Sequence, residues 1–176
     1  MEAKDFLAPA VTLLGLFVAN FLAESYKRFK SGSVLAAGIV GELKSYLPAQ
    51  TMMMDVINTI IAAHTPEGAE KLPLSFRGEF EMPKDRVYEA NVANLGLLGA
   101  ELATATAEVY GRILGFRTAW RGFYNYYNDM NIHESREQAR FIRQWLERSD
   151  EAGRELIPLL EERAKASWLV SRLSNF

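Results

Sequence analysis

Residues Phe6 to Ala23, FLAPAVTLLGLFVANFLA, form an uncharged run of 18 residues near the start of a 176-residue chain. As a helix the run rises about 27 Å, close to the ~30 Å apolar thickness of a bilayer. Charges bracket it on both sides, with Glu2, Lys4 and Asp5 before it and Glu24, Lys27, Arg28 and Lys30 after it. A buried helix of a water-soluble bundle keeps a polar stripe over five turns, and this run has none. It therefore reads as a transmembrane helix. A cleaved leader needs a basic n-region and a small-x-small exit. Met1 to Asp5 is charge-balanced and the exit is Phe-Leu-Ala-Glu, so the segment is expected to remain.

The basic flank sets an orientation. Lys27, Arg28 and Lys30 follow the run and only Lys4 precedes it, so the C-terminal side is expected to face the cytoplasm. The reading is a single-pass protein of the inner membrane, with residues 1–30 as anchor and residues 31–176 as a cytosolic domain. The chain has no Cys, which suits a reducing compartment. Lys27, Arg28 and Lys30 are the expected anchors at the membrane interface.

Small residues line one stripe of the run. Ala8, Thr12, Gly15, Ala19 and Ala23 recur at steps of three and four, and Asn20 lies beside them. Gly15-xxx-Ala19-xxx-Ala23 is the small-xxx-small spacing that lets two helix backbones approach in lipid. These six residues are the expected oligomer interface, making a homo-oligomer and membrane lipid the expected partners.

Beyond the anchor the apolar period is helical. Leu35, Ile39, Leu43 and Leu47 step by four, so the anchor helix is expected to run on to about Leu47 and to break or kink at Pro48. A second helix carries Met52, Val56 and Ile60 to about His64. Residues 65–84, with Pro66, Gly68, Pro73, Gly78 and Pro83, read as an irregular insertion. Lys84 to about Asn94 is expected to be helical, followed by a turn at Gly96–Gly99. Leu102, Val109, Phe116 and Phe123 are then seven apart, interleaved with Thr106, Ile113, Trp120 and Tyr127. Such a double heptad seam belongs to a long helix in a bundle. A last helix from about His133 to Leu173 turns Ile142, Leu146, Leu156, Leu160 and Trp168 inward. The expected fold is all-α: a transmembrane helix continuing into an antiparallel helical bundle.

Motifs of chemistry are scarce. The only two His are His64 and His133, with no HExxH, no paired Cys and no Glu-x-x-His ligand pair. No glycine-rich phosphate loop or GxSxG elbow occurs. A net charge of −2 gives no footprint for nucleic acid. No catalytic residue, metal or cofactor is expected. Glu42, Glu89, Glu101 and Glu108 beside the seams read as solvated helix faces. The densest local feature is Phe116 to Tyr127, where six aromatics and two arginines fall in twelve residues. Setting aside its seam residues leaves Arg117, Arg121, Tyr124 and Tyr126 as candidate contacts for a protein partner or lipid headgroups.

The stretch Val87-Tyr88-Glu89-Ala90-Asn91, with Leu95-Gly96-Leu97-Leu98 and Tyr110, resembles a segment of uncharacterised small bacterial membrane proteins. That resemblance implies an N-terminal anchor with a helical cytosolic part, and no activity. The layout is also similar to that of the membrane-pore accessory proteins of bacterial CRISPR immunity, although the Arg/His motif of that group is missing here. The functional expectation is an interaction or scaffold module at the cytoplasmic membrane face. The alternative is an oligomeric pore or membrane-permeabilising effector, as in phage defence.

Overall fold

The computed structural model describes residues 4–63 and 83–168, with side chains from Val11 onward. The first helix, α1, runs unbroken from Lys4 to Ala63, 60 residues and about 90 Å. A short helix α2 (Arg86–Asn91) continues as a 3₁₀ segment, Val92–Leu98. Helix α3 spans Ala100–Tyr126 and α4 spans Ile132–Lys165. Among the described residues there is no strand. The insertion expected at 65–84 lies outside them except for its last two residues.

Pro48 does not end the helix. Proline removes one backbone bond and crowds the carbonyl four residues back, at a cost of about 3 kcal/mol. Pro48 and Lys44 both sit on the exposed face, where water can reach the freed carbonyl. On the opposite face Leu43, Tyr46, Met53 and Ile57 are all buried, and that continuous packing outweighs the lost bond. Of the expected break or kink, the break does not occur: the helix continues through Pro48.

Two core layers show how the helices run. Nearer the N-terminal end of α1, Ile39 and Leu43 pack with Val109, Ile113, Leu156 and Leu160. Further along, Met53, Ile57 and Ile60 pack with Phe116, Phe123, Ile142 and Leu146. Residue numbers in α3 rise with those of α1, while those in α4 fall. So α4 is antiparallel to both, but α1 and α3 are parallel, which corrects the uniformly antiparallel bundle. The chain from Asp85 to Leu98 descends along α1 to restart at α3.

Local chemistry fixes the joints. Gly99, at φ 97°, reverses the chain into α3 in a conformation open to glycine. Asn131 caps α4 through a reciprocal box, its side chain accepting from Glu134 N while Glu134 accepts from Asn131 N. The double seam of α3 is inward as expected, with Thr106, Val109, Ile113, Phe116, Phe123 and Tyr127 buried. In α4, Ile142, Leu146, Leu156 and Leu160 are buried as expected, but Trp168 is only half-buried and follows the helix end.

Among the described residues no helix is long and apolar enough to cross a membrane. The described side chains of the uncharged run begin at Val11. Val11–Ala23 is 13 residues, about 20 Å of helix, short of the ~30 Å of hydrocarbon. The side chains of Phe6–Ala10, the rest of the run, lie outside the described residues.

Candidate functional site

From Val11 to Glu24 every side chain of α1 is exposed, and among the described residues no other element packs on this part of the rod. Eight large apolar side chains lie here: Val11, Leu13, Leu14, Leu16, Phe17, Val18, Phe21 and Leu22, each 46–70 % exposed. Burying one such side chain stabilises by about 1.5–3 kcal/mol, so leaving eight in water forgoes on the order of 10 kcal/mol. An exposed apolar surface of this extent marks a contact with lipid or another protein.

The large residues do not cover the rod evenly. At about 100° per residue they occupy roughly two-thirds of the circumference, and Thr12, Gly15, Ala19 and Ala23 fill the remaining third. A Cβ added at Gly15 would meet nothing within 4 Å. Ala8 falls on the same stripe, but its side chain lies outside the described residues. Asn20 projects about 100° from the centre of the stripe, between the directions of Leu13 and Leu16, so it is not part of that face.

Below the rod the surface changes character within one turn. Tyr26, Lys27, Arg28 and Lys30 are exposed, and the end of α4 returns to this level. The Trp168 ring stands edge-on to Tyr26 with centroids 5.7 Å apart. Arg163 lies over the Phe29 ring, 4.3 Å from its centroid. It donates to Ser33 Oγ at 2.9 Å and to the carbonyls of Phe29 and Leu97, both at 3.3 Å. Burial lowers the Arg163 pKa. Close packing here requires Gly32, where any Cβ would come within 2.6 Å of Arg163 Nη2 and press on the Leu97 carbonyl. Together these residues form a collar of aromatic and basic side chains. Sequence reasoning found Lys27, Arg28 and Lys30 but missed Tyr26, Arg163 and Trp168. The missing signal was the antiparallel return of α4, which no local pattern reveals.

A second polar cluster lies deeper in the bundle. Asp85 is buried and takes both Nη atoms of Arg117, at 2.6 and 2.8 Å, and the Tyr46 hydroxyl at 2.7 Å. Glu42 accepts from Val87 N at 2.7 Å, Tyr88 N at 3.1 Å and Tyr110 Oη at 2.7 Å. The Tyr88 and Tyr110 rings stack 3.9 Å apart. Glu42 thus caps the first turn of α2 from across the bundle, satisfying amides that α2 cannot satisfy itself. Burial, then the Glu42 hydrogen bond, pushes the Tyr110 phenol up; burial, then the Asp85 hydrogen bond, does the same at Tyr46. Burial works against the Arg117 charge, but its hydrogen bonds and proximity to Asp85 leave its pKa raised. The space beside Tyr46 and Arg117 is about 40 Å³, well under the roughly 300–1,000 Å³ of a ligand pocket. The cluster is a clasp that ties the Asp85–Leu98 segment to α1 and α3.

The clasp takes Arg117 out of the expected aromatic–basic patch. Arg117 is turned onto Asp85, while Arg121 and Tyr126 are exposed and Tyr124 is half-buried. The patch also lies near the Met53–Ile60 layer, about 40 Å along α1 from Lys30, so collar and patch cannot meet one membrane face on an upright rod. Of the four seam carboxylates, Glu89, Glu101 and Glu108 are exposed as expected, and Glu42 is the half-buried exception. His133 is exposed at the start of α4, and His64 lies outside the described residues. Among the described residues no group of three or more acidic or His side chains could hold a metal ion. No protein-family model, curated protein or solved structure matches this chain.

Proposed function

We propose that this chain is a membrane-anchored, self-associating helical bundle that acts as an interaction or scaffold module at the cytoplasmic membrane face. The observation that carries the reading is the Val11–Leu22 stretch of α1, whose eight large apolar side chains are all exposed. A collar of Tyr26, Trp168, Lys27, Arg28 and Lys30 directly beneath it supports the same reading, since aromatic and basic side chains favour the headgroup level. The anchor in this proposal is the whole uncharged run from Phe6 to Ala23. Self-association rests on the stripe of Thr12, Gly15, Ala19 and Ala23, where the backbone is least shielded.

The test is fractionation followed by mass measurement. The full chain should remain with membranes through alkaline carbonate and leave them only with detergent. In mild detergent it should run as a dimer or other small oligomer, and Gly15→Leu should shift it toward monomer. Recovery as a soluble protein without detergent would overturn the anchor. A closed ring of six or more chains would replace the scaffold by the pore.

A further inference from the structure

Two grooves flank the collar, and they share a wall. One, of about 610 Å³, runs between α1 and the end of α4, bounded by Tyr26, Phe29, Lys30, Ser33, Ser167 and Trp168. The other, of about 830 Å³, runs between α1 and the 3₁₀ segment, with Tyr26, Lys27, Lys30, Asn91, Asn94 and Leu97 among its walls. Among the described residues no acidic side chain lines either groove. This is a local bias, since the whole chain carries a net charge of −2.

Among the described residues no carboxylate pairs with Lys27, Arg28, Lys30 or Arg163; the ion pairs of this end of α4 engage Lys44 and Lys165 instead. Arg163 is bound only to neutral oxygens, those of Ser33, Phe29 and Leu97. It therefore stands behind both grooves, holding one wall of each and contributing positive charge that no ion pair among the described residues engages. A guanidinium offers five donors, and these bonds use three.

We propose that the collar is a binding site for one anionic phospholipid per chain, with Lys30 taking the headgroup phosphate and Tyr26 and Trp168 flanking the glycerol. The inference rests on the anchor reading and adds a lipid class to it. The lipid, rather than a free phosphate, follows from continuity: above Tyr26 the groove gives onto the bare apolar rod, where acyl chains would lie along Leu22 and Val18. A phosphate held at Lys30 meets charge that is otherwise unmatched, and the aromatic rims match the headgroup level. Arg163 acts as a positioning residue that fixes Phe29 and Ser33.

The experiment uses the full chain. It is first reconstituted in nanodiscs of phosphatidylcholine alone; failure to enter them overturns the anchor reading itself. The protein in neutral detergent is then titrated with dioctanoyl phosphatidylglycerol and dioctanoyl phosphatidylcholine, and bound lipid is counted by native mass spectrometry. We expect one phosphatidylglycerol retained per chain with about tenfold preference over phosphatidylcholine. Lys30→Gln should reduce that preference to threefold or less, whereas Arg121→Gln, about 40 Å away along the bundle, should leave it unchanged. Glycerol 3-phosphate and inorganic phosphate at millimolar concentration should not displace the lipid. Equal retention of the two lipids, or equal losses in the Lys30 and Arg121 variants, would overturn the site. Full displacement by glycerol 3-phosphate would show a phosphate site in place of a lipid site and would equally overturn the proposal.

Discussion

Thr106 is completely buried on the α3 seam, and its hydroxyl has no hydrogen-bond partner. A buried hydroxyl without a partner carries its desolvation cost uncompensated, so Thr106→Val should stabilise the bundle by about 1 kcal/mol. For a chain of this size that raises the thermal midpoint by about 3 °C, and calorimetry in detergent would check it; a lowered midpoint would mean the hydroxyl is satisfied. The tyrosines of the clasp give a second residue-scale prediction, with a definite sign. Tyr46 and Tyr110 have phenols raised well above their ordinary value of 10, by burial first and by the neighbouring carboxylates next. The fold therefore favours the protonated phenols, and this contribution is fully present below pH 10. Above pH 10 the unfolded chain releases those protons and the folded chain does not, so stability falls as pH rises. Denaturant midpoints should be flat from pH 7 to about 9 and decline beyond 10, and Tyr110→Phe should make that decline shallower. An unchanged slope in that variant would remove Tyr110 from the account.

At the scale of elements, the α2 and 3₁₀ segment is the part most dependent on polar contacts. α2 has six residues and none of them is buried, so it cannot persist by its own propensity. Glu42 holds its first turn from α1, and Asp85 anchors its start to α3 through Arg117. Glu42→Ala should therefore release the segment locally, raising amide hydrogen exchange across residues 86–98 by at least tenfold while α3 and α4 stay protected. Uniform loss of protection would show the clasp to be part of the global fold. Asp85→Ala leaves Arg117 half-buried without its counter-charge, which costs about 3–5 kcal/mol. Replacing both, as Asp85→Leu with Arg117→Met, should recover most of that loss in chemical unfolding. Much of the rest was legible in the sequence. The double heptad of α3 and the inward residues of α4 follow from periodicity, which depends only on neighbours three and four apart. The clasp was not legible, because Glu42, Asp85 and Arg117 come from three elements and look like surface charges in isolation. Pro48 misled for a related reason: a local helix breaker was overruled by packing on the opposite face.

At the scale of the whole molecule, one helix serves two environments. From Leu35 onward α1 is a core element, and from Val11 to Glu24 its side chains are exposed. In the anchoring proposed above, the same rod would couple any tilt of its N-terminal part to the orientation of the bundle, because α1 is continuous between them. Gly32 is the residue at the junction, and its missing Cβ lets Arg163 and Leu97 close against the rod. An upright rod would carry the far end of α1 about 50 Å beyond Lys27, and Arg121 and Tyr126 with it, away from the lipid. A rod lying on the surface would instead bring Phe17 and the bundle to similar depths. The two postures predict different quenching, and the absence of cysteine lets single labels be placed without removing native thiols. A fluorophore at Phe17→Cys in vesicles with lipid-borne quenchers should be strongly quenched, and one at exposed Asn125→Cys should not. Quenching at both positions would mean the molecule lies flat and would sink the upright anchor. Quenching at neither would place the rod outside the bilayer, covered by protein instead.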